Sequence, residues 1–186
     1  TQGALSIMGN ETYKQKFRPL LPDCNQIIYN DQSSLENITE NTAAVIIEPV
    51  QGATGFITPT NNFLQAVRAK CDEVAALLIF DEIQTCFGRT GKLFGFETYQ
   101  VIPDVLCMAM GMGGGMPIGS FTTSTELMHC LREDPKLGHI TTFGGHPIVC
   151  AASLATLNEL CETELIQEVS TKEALFRAVL KHPKIK

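Results

Sequence analysis

Short runs of aliphatic and β-branched residues alternate along the chain with segments of helical periodicity. These runs predict β-strands at residues 26–30, 43–50, 75–82 and 105–109, with a fifth and weaker pattern at 118–124. The runs are continuously apolar rather than alternating, which is typical of strands that are buried on both faces. The sequence therefore predicts a mostly parallel sheet covered by helices.

Helical spacing is clearest between the second and third predicted strands. Apolar side chains recur there at helical intervals: Phe63, Val67, Cys71 and Val74. Thr60 or Asn61 is placed to cap the start of this helix. Further helices are predicted after Pro147, at residues 148–169 and 172–180. A strand–helix–strand unit favours a right-handed parallel crossover, so the pattern as a whole is that of a layered α/β domain.

Composition and charge exclude several classes of protein. The chain has 186 residues, of which 44% are hydrophobic and 18% charged, as in an ordinary globular domain. The net charge is -6 and no basic stripe is present, so neither nucleic acid nor an anionic membrane is an expected partner. The longest apolar run, residues 75–80, is far shorter than the roughly 20 residues of a membrane span. The first residues do not have the pattern of a signal peptide.

Seven cysteines are scattered along the chain: Cys24, Cys71, Cys86, Cys107, Cys130, Cys150 and Cys161. No two form a CxxC pair, and neither the cysteines nor the four histidines cluster as metal ligands do. We therefore expect reduced thiols that pack as small apolar side chains, a cytoplasmic location and no metal site.

Chemistry is expected where the parallel strands end, because ligands of open α/β sheets bind at the carboxyl edge. Glu48, Asp81 and the segment around Met110 fall at three such ends. A carboxylate after an apolar strand is costly unless it is paired or hydrogen-bonded. From the segment alone, Asp81 is either a ligand for a cationic ring nitrogen or an acid that caps a helix or binds magnesium. Gln84 either presents its amide to the same ligand or is an ordinary surface residue.

Four motifs occur in the order and at the spacing typical of one family. They are EPVQGATG at residues 48–55, FDEIQTCFGRTGK at 80–92, PDVLCMAMGMGGGMPIG at 103–119 and TTFGGHP at 141–147. In these motifs the chain resembles the class III aminotransferases of the ornithine, acetylornithine and 4-aminobutyrate group, over nearly its whole length. The resemblance implies the large domain of a fold type I enzyme, which transfers amino groups with pyridoxal 5'-phosphate.

The same resemblance implies a role for each motif residue. Residues expected to contact the cofactor or support its site are Asp81, Ile83, Gln84, Thr141, Thr142 and Glu48. Asp81 would bind the pyridine nitrogen and keep it protonated, so that the ring remains an electron sink. Ile83 would pack on the ring, and Gln84 would bond the ring's phenolic oxygen. Thr142, with Thr141, would bind the cofactor phosphate of a neighbouring subunit, which implies a homodimer with shared sites.

Other conspicuous residues receive structural interpretations. The glycine run at residues 111–119 either cradles a phosphate or turns the chain back as an adjacent strand, and the family resemblance favours the turn. His146 is expected to serve a local turn. Arg89 and Lys92 are expected in a loop or interface, since the spacing of a Walker motif is absent.

Met110 is the main departure from the family, because it occupies the position of the lysine that binds the cofactor. That amine forms the resting Schiff base and carries the proton between substrate and cofactor, and a thioether does neither. Three explanations are open: a natural loss of catalysis, a substitution in an active parent, or binding of the cofactor only in forms that need no lysine. We expect little or no turnover from the chain as written.

Two further departures concern specificity and coverage. Ala53 stands where relatives that use ω-amino substrates often have a gating glutamate, which weakens any inference of ornithine or 4-aminobutyrate as substrate. The chain is also shorter than the family, so we expect residues 1–168 to be part of the cofactor-binding domain. Residues 169–186 would lead toward a C-terminal small domain. The alternative function is an inactive homologue that binds the cofactor or pairs with an active subunit.

Overall fold

A four-stranded sheet forms the centre of the molecule. The computed structural model describes residues 1–133 and 135–184. The strands are β1 (Ala44–Ile47), β2 (Leu77–Asp81), β3 (Val105–Met108) and β4 (Ser120–Thr123), in the order β1-β2-β3-β4. The first three are parallel and β4 is antiparallel to β3. The predicted mostly parallel α/β sheet is therefore confirmed, and each of these strands is shorter than its apolar run.

Seven α-helices accompany the sheet in the described residues. They are α1 (Gln2–Ile7), α2 (Glu11–Lys14), α3 (Phe63–Val74), α4 (Gly95–Tyr99), α5 (Thr125–His129), α6 (Pro147–Glu162) and α7 (Glu168–Val179). Single 3-10 turns occupy Gln15–Phe17, Gln32–Asn37 and Met110–Gly113. None of the helices in this part of the chain is both long enough and apolar enough to cross a bilayer.

Helix α3 carries most of the helical contribution to the core. Phe63, Val67 and Cys71 lie on its buried face, as the spacing predicted; Leu64 is buried with them, and Val74 is only partly buried. They pack with the fully buried Leu78 and Phe80 of β2 and with buried residues of β1. Burial of such side chains typically contributes about 1.5–3 kcal/mol each, so this cluster positions the end of β2.

The predicted cap of α3 is wrong. The N-cap residue is Asn62, which adopts a left-handed conformation and whose side chain caps no backbone group. Thr60 contributes only its carbonyl, which accepts the Phe63 N–H at 2.9 Å, and Asn61 has a positive φ. The helix therefore begins from a left-handed turn rather than from a side-chain cap.

The predicted strand at residues 26–30 is also wrong. Ser34 Oγ accepts the Ile28 N–H at 3.0 Å, and Tyr29 donates its hydroxyl to the Pro49 carbonyl at 2.8 Å. The Tyr29 ring also meets Phe63 edge-on, with centroids 5.2 Å apart. Ile27 and Tyr29 are partly buried against the core while Ile28 is exposed, and this segment pairs with no strand of the sheet.

The long helix predicted at residues 148–169 is interrupted. Helix α6 ends at Glu162, and Thr163 is extended, with its hydroxyl bonded to the Glu159 carbonyl at 2.6 Å. Helix α7 then begins at Glu168, so the helix predicted at 172–180 is its second part. A threonine that bonds the preceding turn offers the backbone an alternative to continuing the helix.

Candidate active site

Asp81 is the last residue of β2 and presents a carboxylate at the carboxyl edge of the sheet. Its Oδ1 accepts the Ile83 N–H at 3.1 Å, and Oδ2 accepts no hydrogen bond from the described residues. Asp81 pairs in register with Cys107 of β3. Burial raises the pKa of the Cys107 thiol, and the nearby Asp81 charge raises it further. One oxygen thus fixes the carboxylate while the other is available to a ligand.

Glu48 and Gln84 meet at Gly52, beside Asp81 in the sheet. Glu48 follows β1, and its Oε2 accepts the Gly52 N–H at 2.9 Å. A Cβ at Gly52 would lie 3.1 Å from Cγ of Gln84 and 3.6 Å from Oε2 of Glu48, so only glycine fits comfortably between them. The structure therefore brings three of the predicted site residues to one edge. The neighbouring Ala53 is exposed and carries no polar group.

Met110 follows β3 at the same edge. It has a φ of 42°, begins the 3-10 turn and exposes 62% of its surface. A Cβ at the next residue, Gly111, would lie 3.3 Å from Cβ of Phe87, so this turn runs beside the segment that follows Gln84. A non-glycine residue rarely adopts a positive φ, and such conformations concentrate at functional positions.

The glycine run returns the chain to the sheet, as the sequence predicted. β3 ends at Met108, and β4 begins at Ser120, which pairs with Met108. Gly114 has a φ of 56°, and a Cβ there would lie 2.2 Å from Oγ1 of Thr156 in α6. This glycine is needed both for the left-handed turn and for the close approach of α6.

Thr141 and Thr142 line a cavity at the start of α6. Its volume is about 450 Å³, and the other lining residues are Pro117, Ile118, Gly119, Phe143, Gly144, Gly145, His146, Val149 and Cys150. Neither Asp81 nor Gln84 is part of this lining. His146 is the N-cap of α6, and its Nδ1 is buried without a hydrogen-bond partner among the described residues. Its backbone N–H donates to the Phe143 carbonyl at 3.2 Å, as the expected turn role requires.

Glu82 is an acidic residue to which the motifs assigned no role. It follows Asp81, is fully buried and accepts the backbone N–H groups of Gly95 and Phe96 and the Thr85 hydroxyl. Burial raises the pKa of Glu82, and these three donors oppose the rise. The sequence signal for a buried Glu82 was its place next to Asp81 at the end of a strand. Adjacent side chains along a strand point to opposite faces, so only one of the two acids can face the ligand edge.

The family model for aminotransferase class III matches residues 1–186. The chain belongs to the class III aminotransferases. Among curated relatives, the putrescine aminotransferase of Pectobacterium atrosepticum is 46% identical over 176 residues, or 90% of this chain and 37% of that protein. These relatives are enzymes, and the family depends on pyridoxal 5'-phosphate, the cofactor expected from the sequence.

Solved class III aminotransferases share the fold. The ornithine aminotransferase of Toxoplasma gondii, whose active site holds pyridoxal phosphate at partial occupancy, is 32% identical with a TM-score of 0.89. That match covers 97% of this chain and 42% of the other. An (S)-enantioselective omega-transaminase from Thermomicrobium roseum is 31% identical, with a TM-score of 0.84 over 95% of this chain and 45% of its own. The chain thus spans less than half the length of these relatives.

The residues present fit pyridoxal phosphate as a non-covalent ligand. The free Oδ2 of Asp81 suits a protonated ring nitrogen, and Gln84 brings an amide donor to the same edge. They do not fit covalent attachment, because Met110 has no amine. Met110 therefore removes the covalent contact, while the aspartate and the glutamine at this edge remain.

Proposed function

We propose that this chain is the cofactor-binding part of a class III aminotransferase in which Met110 prevents covalent attachment of the cofactor. The parent activity is transfer of an amino group from an amino donor to a keto acid. The observation that carries the proposal is the Asp81 carboxylate, which is fixed through Oδ1 and open at Oδ2 at the edge it shares with Glu48, Gln84 and Met110. Residues 1–168 would form this part, and 169–186 would lead onward from it.

Each site residue has a distinct task in the proposal. Asp81 accepts the proton-bearing ring nitrogen, and Ile83 packs on one face of the ring. Gln84 donates its amide to the ring oxygen, and Glu48 fixes the turn at Gly52 against it. When bound, pyridoxal phosphate supplies an electron-poor ring that stabilises negative charge at the reacting carbon of the substrate.

Met110 removes the group that would move the proton between substrate and cofactor. A lysine amine at this position acts as both nucleophile and base, and a thioether is neither under these conditions. The side chain is 62% exposed, so a lysine can occupy the position without displacing core residues. We therefore expect the chain to retain cofactor affinity while losing turnover.

A homodimer is part of the proposal. Thr141 and Thr142 lie in a cavity whose lining excludes Asp81 and Gln84. Threonine hydroxyls in that cavity would serve the phosphate of a cofactor held by the partner subunit. The scattered free cysteines support a cytoplasmic location as part of the proposal.

The proposed amino donor is a diamine. Ala53 offers no carboxylate at the turn beside Glu48 and Gln84, which leaves no gating acid of the kind expected for ω-amino acid substrates. The 46%-identical relative is a putrescine aminotransferase, and putrescine carries amines at both ends and no carboxylate. In a lysine-restored protein we expect putrescine to be a better donor than ornithine.

Met110 also favours a second candidate, an inactive homologue that binds the cofactor or pairs with an active subunit. The two candidates differ in one measurement. If the unaltered full-length protein transfers amino groups, the inactive candidate is wrong. If it binds the cofactor without turnover, that candidate describes its present state and the aminotransferase describes its ancestry.

Borohydride trapping tests the role of position 110. The full-length protein is incubated with pyridoxal phosphate, reduced and mapped by peptide mass spectrometry. We expect no lysyl adduct in the unaltered protein and an adduct at residue 110 in Met110→Lys. Met116→Lys is the matched control, since Met116 lies in the same glycine-rich segment and is also exposed. A specific adduct in the unaltered protein, or equal trapping in both variants, would contradict the proposal.

A further inference from the structure

Glu82 lies between the two side chains that the proposed function assigns to the ring. Asp81 precedes it and Gln84 follows two residues later. The Glu82 side chain has no exposed surface, whereas Asp81 and Gln84 are partly exposed. A fully buried carboxylate is rare and costly, and it is retained only where several donors satisfy it.

Every polar group of Glu82 is engaged. Its N–H donates to the Cys107 carbonyl at 2.9 Å, and its own carbonyl accepts the Cys86 N–H at 3.0 Å. Oε1 accepts the Phe96 N–H at 2.7 Å. Oε2 accepts the Thr85 hydroxyl at 3.1 Å and the backbone N–H of Gly95. The residue is thereby bonded to β3, to the turn that carries Gln84 and to the start of α4.

The start of α4 is shaped around this carboxylate. A Cβ at Gly95 would lie 2.9 Å from Oε2 of Glu82 and 2.9 Å from Oγ1 of Thr85. The two N–H donors belong to consecutive residues at a helix start, where backbone N–H groups have no helical partner. Hydrogen bonds from them to an ionised side chain are stronger than neutral ones.

We propose that Glu82 is a positioning residue, which holds Asp81 and Gln84 in register for the cofactor ring by tying the end of β2 to the start of α4. The inference rests on the proposed function, because it assumes that Asp81 and Gln84 contact the ring. Glu82 itself touches no ligand, since its carboxylate is enclosed by protein donors.

The physical reason is the location of Asp81 at the last position of its strand. The last pair between β1 and β2 is Ile47 with Phe80, so the β1 ladder ends one residue before Asp81. The only bond to the Asp81 side chain comes from the Ile83 N–H, so the position of that side chain depends on how firmly the backbone around Glu82 is held. Small displacements of a binding group have large effects on a charge-assisted bond, because such a bond depends on distance and angle.

The test compares two carboxylates that both accept backbone N–H groups, those of α4 for Glu82 and that of Leu78 in β2 for Asp104. Glu82→Gln keeps the size of the side chain but replaces one acceptor oxygen by a donor. Asp104→Asn is the matched control, since Asp104 accepts the Leu78 N–H at 2.7 Å near the opposite end of β2. Affinity for pyridoxamine 5'-phosphate is measured by fluorescence titration of the full-length protein, well below both melting temperatures.

We expect Glu82→Gln to weaken binding of pyridoxamine phosphate by about tenfold, because the lost hydrogen bonds hold the segment that carries Asp81 and Gln84. Asp104→Asn should change the affinity less than about twofold, because its lost bonds lie away from that segment. Both variants should lower the melting temperature. Trypsin cleavage after the exposed Arg89 should increase in Glu82→Gln alone, since residues 88–94 lie between the joined segments. Thr85→Val removes the hydroxyl that donates to Glu82 and replaces Glu82→Gln in the comparison if that variant does not fold. It should lower the affinity by an intermediate amount.

A parallel titration of Asp81→Asn separates the two proposals. If Asp81→Asn binds as tightly as the unaltered protein, or if the unaltered protein does not bind, the cofactor site is misassigned and both proposals fail. If Asp81→Asn is weakened while Glu82→Gln, or Thr85→Val in its place, matches Asp104→Asn, only the positioning role is overturned.

Discussion

Replacement of Asp81 by asparagine isolates the charge of the proposed ring ligand from its shape. The carboxylate uses Oδ1 for the Ile83 N–H and leaves Oδ2 open. Asparagine has one acceptor oxygen in place of two. If that oxygen keeps the Ile83 bond, the amide N–H₂ faces the protonated ring nitrogen as donor against donor. If the amide flips to serve the ring, the Ile83 bond is lost.

The size of the loss follows from this choice. A hydrogen bond to a charged group contributes about 1.5–3 kcal/mol, which corresponds to roughly a 10- to 150-fold change in affinity. Asp81 is partly exposed, and solvent screens its charge, so we expect a value in the lower half of that range. The loss should also shrink as salt concentration rises.

The assay is fluorescence titration of Asp81→Asn and of the unaltered protein with pyridoxamine phosphate at neutral pH. The melting temperature should change little, because the variant can keep the Ile83 bond and adds no buried volume. Equal affinity of the two proteins would refute the placement of the ring at Asp81. A weaker affinity accompanied by general unfolding would show that Asp81 supports the fold rather than the ligand.

Two further predictions concern groups away from the ring. Burial alone would raise the pKa of Asp104, but the Leu78 N–H and the Arg68 guanidinium outweigh it and hold the pKa below 3.8. The ionised form of Asp104 therefore stabilises the fold above pH 3.8, and Asp104→Asn should lower the free energy of unfolding in urea at pH 7 by about 1–2 kcal/mol. This difference should fade as the pH drops below 3.8. A difference that does not depend on pH would contradict the prediction. Burial raises the pKa of the Cys86 thiol to about 11, so iodoacetamide should label the exposed Cys150 in the native protein and reach Cys86 only after unfolding. Mass spectrometry of labelled peptides checks this, and native labelling of both at similar rates would refute it.

The strands that carry the candidate site were predictable because their hydrophobic signal is local. Residues 44–47 and 77–80 are continuously apolar, although in the structure their burial alternates along each strand, and the residues that follow them are Glu48 and Asp81. The rule that ligands bind at the carboxyl edge then predicts that these acids lie together. The run at residues 26–30 has the same local signal, yet its tyrosine packs on Phe63 outside any ladder. The hydrophobic pattern of a short segment does not show whether the segment pairs as a strand or only packs against the core.

Features that depend on distant partners were beyond the sequence. Glu82 is satisfied mainly by the N–H groups of Gly95 and Phe96, thirteen and fourteen residues later, and nothing in the local pattern identifies them. The positive φ of Met110 is likewise not indicated by its residue type, because methionine rarely adopts that conformation.

The pairing of Met108 with Ser120 makes chemistry at position 110 separable from folding. The sheet holds both ends of the segment between these residues, and Gly114 in its middle closely approaches α6. Backbone hydrogen bonds and a glycine contact therefore set where residue 110 stands, and its own side chain is largely in solvent. An exchange between a thioether and an amine at position 110 should therefore change the stability of this part of the chain little in either direction.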